Sequence, residues 1–273
     1  MTTYLIPDSF TMLRRSLRRM RRYPSLTFFT AAVPVIVLLL FVYVLGGTLG
    51  AGLGTTVTAP VGLPAGAGRD AYIAYVVPGI LLITVAGVGT GTAISVSMDM
   101  TAGIIARFRT MAIARSSVLG GHVIGSVIQA LLALGLVVIV AVLVGFRPMT
   151  GPVEWLAALG ILTLTAFAIS WLSVGMGLAA GSVETASNTP MILTLLPFLS
   201  SAFVPIETLP GPLAWFAEHQ PFTPIIETVR ALLVGTPVGT DGLVAVGWCV
   251  LFSVGGYLWA RRLYERVPAI AAI

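Results

Sequence analysis

The chain has 273 residues, of which 57% are hydrophobic and 9% charged, with a mean hydropathy of +1.01. Soluble domains carry roughly 25% charged residues. This composition therefore excludes a soluble protein and predicts an all-α integral membrane protein, because the apolar runs are long enough for helices rather than barrel strands. All 15 basic residues are arginine. That excludes a P-loop lysine, an ordinary Walker-type ATPase within this chain, and Schiff-base chemistry on lysine. The single cysteine, Cys249, excludes an internal disulfide and a cysteine-cluster metal site.

Residues 8–23 form the first predicted element. Phe10, Leu13, Leu17 and Met20 recur on one helical face, and arginines, Arg14 and Arg18 among them, fill the rest. Asp8 or Ser9 can cap its start and Pro24 stops it. Such a helix lies in the headgroup plane, with its apolar face in membrane lipid and its arginines near phosphates. The bland reading is a topology anchor; the sharper one adds docking of a cytoplasmic partner.

Six apolar runs follow, at 25–46, 72–98, 118–146, 155–181, 188–206 and 243–260. A spanning helix needs about 20 apolar residues, so each predicts one crossing and both termini share a side. Twelve of the 15 arginines lie before the first run, between the second and third, or after the sixth. The positive-inside rule then puts both termini in the cytoplasm. The +5 net charge follows this topology and does not indicate nucleic acid. The first run reads as an uncleaved anchor, since more spans follow it.

The second run carries Gly87, Gly89 and Gly91, then Thr90, Thr92 and Ser95. No strand precedes these glycines, so they are no dinucleotide fingerprint. They allow close helix packing, as do Gly121, Gly125, Gly177 and Gly181, or else they give a mildly polar face lining a pathway. The link Asp99–Ser117 is long for a simple connection. It can form a short helix in which Ile104, Ile105, Phe108 and Met111 stand beside Arg107 and Arg109, a pattern that suits a protein interface. The other reading is a solvated basic loop.

The outward segment Glu207–Asp241 is too long and apolar for an ordinary loop. Leu213–Glu218 predicts one short helix. A second is capped by Thr223, has Pro224 at its first position and ends at Gly235. Glu227 and Arg230, three apart, can pair. Helices too short to span suggest a re-entrant or interfacial cap, which includes Glu207, Glu218 and His219. No carboxylate or arginine lies deep in any run. His122 comes nearest, and a histidine so placed makes an interhelical hydrogen bond more often than a proton relay. Ser95, Ser97, Ser126 and Ser170 lack a convincing partner for nucleophilic catalysis.

This layout resembles the type-2 ABC exporter permeases, in particular the daunorubicin/doxorubicin-resistance branch of actinobacteria. The resemblance covers nearly the whole chain. It rests on Asp99, Gly103, Ile104, Arg107 and Arg109, on Phe203–Leu209 with Phe216–Pro224, and on Glu227–Arg230 with Leu232, Leu233 and Gly235. It implies one permease domain over residues 1–273 and an elbow helix at 8–23. It also implies a coupling helix in which Gly103, Ile104, Arg107, Phe108 and Arg109 meet an ATPase, and a cap before the sixth span that helps close the outer exit. By the same resemblance two copies pair as a homodimer over two ABC ATPase subunits in the bacterial plasma membrane. ATP and Mg then sit on those subunits and no cofactor on this chain. The cargo is a hydrophobic or amphipathic small molecule, and the chain is no enzyme by itself. The alternatives are an ion-coupled secondary transporter and, more distantly, an intramembrane enzyme.

Overall fold

The computed structural model describes residues 24–46, 68–102, 115–148 and 150–266. The expected elbow helix, with Phe10, Leu13, Arg14, Leu17 and Arg18, lies outside them. So does the link from Gly103, with Ile104, Arg107, Phe108 and Arg109. Among the described residues every regular element is helical.

Helix α1 (Pro24–Leu40) continues as a π-turn through Phe41–Leu45. It buries Ala31, Leu38 and Val42 against α2 and α3, and exposes Val33, Ile36, Leu40 and Tyr43. Helix α2 (Arg69–Thr101) has 33 residues and is apolar on nearly every side. A helix of that kind belongs in the middle of a bundle, and α1, α3 (Arg115–Val144), α4 (Pro152–Ala179) and later segments surround it. Pro152 stands at the first position of α4, where its missing N–H costs nothing.

Small residues set the closest crossings. A side chain at Gly177 of α4 would meet the Ala93 carbonyl of α2 at 2.5 Å. Helix α9 (Asp241–Arg266) crosses α4 where Gly256 abuts the Trp171 backbone, and a Cβ there would lie 2.9 Å from the Trp171 carbonyl carbon. Gly89 likewise seats Ile169 and Ser173 of α4. Gly87, Gly91 and Gly181 meet nothing within 4 Å in this chain, so none of the three makes one of its close crossings.

The fifth apolar run is not one helix. Residues 188–206 fall within α5 (Val183–Asn188), α6 (Met191–Leu195), a 3-10 turn at Leu196–Leu199, an irregular stretch, and a second 3-10 turn at Ile206–Thr208. Pro190, Pro197 and Pro205 explain the breaks, since each lacks the N–H that would continue the ladder. The pieces still travel along α2. Helix α5 packs on it, and Ala202 reaches Gly79, about 21 Å along the axis from the level of Ala93.

Helices α7 (Gly211–His219) and α8 (Phe222–Val234) follow. Helix α8 begins at Phe222, two residues before Pro224, the expected first position. Thr223 lies inside it and donates instead to the Ala217 carbonyl at 2.5 Å, while the Gln220 side chain accepts from the Phe222 N–H at 3.3 Å. Gly235 ends the helix in the left-handed conformation, at φ +87°. Among the described residues four helices, α2, α3, α4 and α9, are long and apolar enough to cross a membrane, and α1 is a shorter apolar helix. The protein is thus a multi-pass helical membrane protein.

Candidate functional site: two polar clamps on a buried helix

At the start of α2, Pro78 cannot donate to the carbonyl of Ala74 one turn earlier. In that turn the Tyr75 carbonyl accepts two hydrogen bonds from Arg230 of α8, from Nε at 3.2 Å and Nη2 at 3.1 Å. The same Nη2 donates to the Ser201 carbonyl at 2.7 Å. The guanidinium stacks on the Tyr75 ring, 3.9 Å from its centre, and Nη1 pairs with Glu227. Arg230 is 7% exposed.

The chemistry follows from the break in the fifth segment. Non-helical backbone in an apolar surround needs partners for its polar groups. Arg230 supplies donors to Ser201, and the Gln220 amide reaches the Leu196 carbonyl at 3.5 Å. The Ser200 hydroxyl accepts from the Ala202 N–H at 3.1 Å. Gly79 lets this stretch touch α2, because any Cβ there would stand 2.5 Å from that of Ala202. Phe203 then stacks on Phe41, in the π-turn after α1, at 4.3 Å.

The second clamp lies toward the other end of α2. Asp99 Oδ2 and His122 Nε2 of α3 are 3.2 Å apart, with both side chains largely buried. Deeper in the same interface, the Thr92 and Ser170 hydroxyls come within 2.6 and 2.9 Å of the Ser126 oxygen. They also reach their own helices' carbonyls, Val88 at 3.0 Å and Ala166 at 2.6 Å. Three helices meet in that hydroxyl knot. Val96, Leu119 and Val123 fill the space around the clamp, in an apolar cluster with Trp171, Leu178 and Tyr264.

Of the residues expected to line a pathway, Thr92 is buried in the knot, whereas Thr90 and Ser95 are partly exposed. These two share an open stripe of α2 with Gly87, Gly91 and Met98. In the expected cap, Glu227 and Arg230 are brought together. Glu207, Glu218 and His219 are exposed, and His219 packs on Trp215. Sequence reading missed Tyr75, Ser201 and the Asp99 partner of His122, and it named Ser126 and Ser170 without the contact that joins them to Thr92. The available signals were a proline inside an apolar span and an arginine inside an apolar helix.

The family model described as "ABC-2 type transporter" matches residues 8–234. The chain is 27% identical over 266 residues to the daunorubicin resistance ABC transporter permease protein DrrB1 of Streptomyces coeruleorubidus, covering 97% of this chain and 88% of that protein. It is 24% identical over 198 residues to the probable doxorubicin resistance ABC transporter permease protein DrrC of Mycobacterium tuberculosis, covering 71% and 72%.

Proposed function

The chain belongs to the ABC-2 type transporter family, and from that premise we propose that it is the membrane subunit of an ATP-driven exporter of hydrophobic or amphipathic molecules. Two copies pair, two separate ATPase subunits dock on the cytoplasmic face, and the link around residues 103–114 receives them. Both termini are cytoplasmic, in a bacterial plasma membrane. The relatives' names, which speak of daunorubicin and doxorubicin resistance, support a drug-like cargo.

The observation that carries the reading is the open stripe on α2. This helix is sealed on its other sides, yet Gly87, Thr90, Gly91, Ser95 and Met98 stay uncovered or partly covered. Lipid-facing surfaces of α3 and α9 carry Leu132, Ile139, Leu143, Val250 and Leu251 instead. Four of the stripe positions are small or hydroxylated, beside Met98 and the partly exposed Ile94, and such side chains suit a second copy or a cargo route. The stripe carries no charge, which fits apolar cargo. The absence of lysine puts ATP binding on another subunit.

One observation favours the ion-coupled alternative: the buried Asp99–His122 pair is an ionisable group within membrane helices. Purification in mild detergent, followed by reconstitution, separates the two. The exporter reading expects a stoichiometric ATPase to accompany the chain and efflux to stop when ATP is removed. A chain that arrives alone, and whose transport collapses with an uncoupler while ATP persists, supports the alternative.

A further inference from the structure

We propose that Asp99 and His122 form a mechanical latch that carries movement of the ATPase-docking link into the transport face of α2. This rests on the exporter reading above. Asp99 stands near the last turn of α2 and His122 near the start of α3, so the pair closes the base of the chain that joins them.

The two helices run antiparallel, and their polar contacts keep one register. Asp99 meets His122, and Thr92 meets Ser126, at 3.2 and 2.6 Å. Seven residues separate the contacts on α2, about 10 Å along the axis. In an apolar surround, neither pair can slide past the other without stranding a polar group, so the contacts fix the register as a buried asparagine does in a coiled coil. Ser170 extends the second contact to α4. Met98 and Ser95, on the open stripe, sit one and four residues from Asp99 on the same helix. A displacement at the link therefore reaches that stripe through a locked pair of helices. Without the latch, α2 and α3 can part at their linked ends, and α2 takes only the share of the movement that enters by its own end.

The test uses the full permease–ATPase complex in lipid nanodiscs. Met98→Cys, with the buried Cys249→Ala, gives a single thiol on the open stripe. Its maleimide labelling rate is read with and without ATP plus orthovanadate. In the otherwise native chain, nucleotide trapping is expected to change that rate by about fivefold or more. The double variant Asp99→Leu with His122→Leu replaces both members of the pair at once, because removing only one strands the other. It is expected to keep the ATPase bound and the nucleotide trapped, while the labelling response falls below about twofold. The exchanged pair, Asp99→His with His122→Asp, is expected to restore the response.

An undiminished response in the double leucine variant overturns the latch. So does a variant that loses the ATPase or changes its nucleotide-free labelling, if the exchanged pair fails to repair it, because that marks a merely structural strap. A native chain that purifies with no ATPase overturns the exporter reading and the latch together, which separates the two failures.

Discussion

The guanidinium of Arg230 carries five N–H donors and no acceptor, so its burial in α8 has to be matched donor by donor. The Tyr75 and Ser201 carbonyls take three of its hydrogen bonds, and Glu227 takes the remaining charge. Arg230→Met leaves both carbonyls without those partners, at about 1–3 kcal/mol each. Glu227 is 34% exposed and water can replace its half of the pair, so Glu227→Gln costs under about 1 kcal/mol. Thermal unfolding in detergent is expected to rank Arg230→Met well below Glu227→Gln. Equal losses would show that the ion pair, and not the carbonyl contacts, holds the cap. Arg230→Lys falls between them, since an ammonium lacks the planar fork that reaches two carbonyls at once. The Glu227–Arg230 pair was legible from spacing alone, because helical neighbours three apart touch. Tyr75 was not, as its contact with Arg230 closes a separation of 155 residues. Only the folded chain brings them together.

At the scale of elements, hydropathy located the long helices α2, α3 and α4 to within three residues and missed the last six of α9, because an apolar run of that length has one economical conformation in lipid while the polar last turns of α9 lie beyond the run. It misread residues 188–206 as a single helix. Hydropathy registers apolar side chains and is blind to hydrogen-bond continuity, which Pro190, Pro197 and Pro205 interrupt. The broken segment stays in place through its seat on α2, and Gly79 makes that seat possible. Gly79→Ala would push a methyl group to 2.5 Å from that of Ala202, an atom of a buried turn with little room to retreat. The expected cost is about 1–3 kcal/mol. Gly87→Ala, two turns further along the same helix, meets nothing within 4 Å. Helix propensity favours alanine there by roughly 1 kcal/mol. Unfolding midpoints of the two variants test this. If Gly79→Ala is as stable as the native chain, the segment is not held by that contact.

Across the whole molecule, α2 acts as a mast pinned near both ends. Arg230 binds it to α8 and the broken segment, while Asp99 and the hydroxyl knot bind it to α3 and α4. A helix held in this way moves with its neighbours as a block. Its uncovered stripe is then the surface where a block meets something else. Gly87→Leu and Gly91→Leu probe what that is, since a Cβ at either position meets nothing within 4 Å in the chain. If a second copy packs there, the leucines wedge the copies apart. Light scattering in detergent is then expected to show the mass of one permease where the native chain shows two. If the stripe lines the cargo route of an intact pair, the mass stays at two and ATP-driven efflux falls by at least about tenfold. Lipid contact alone predicts no change in mass or efflux, because leucine suits lipid as well as glycine does. That result would remove the stripe as support for the exporter reading and return attention to the Asp99–His122 pair as a candidate ion site.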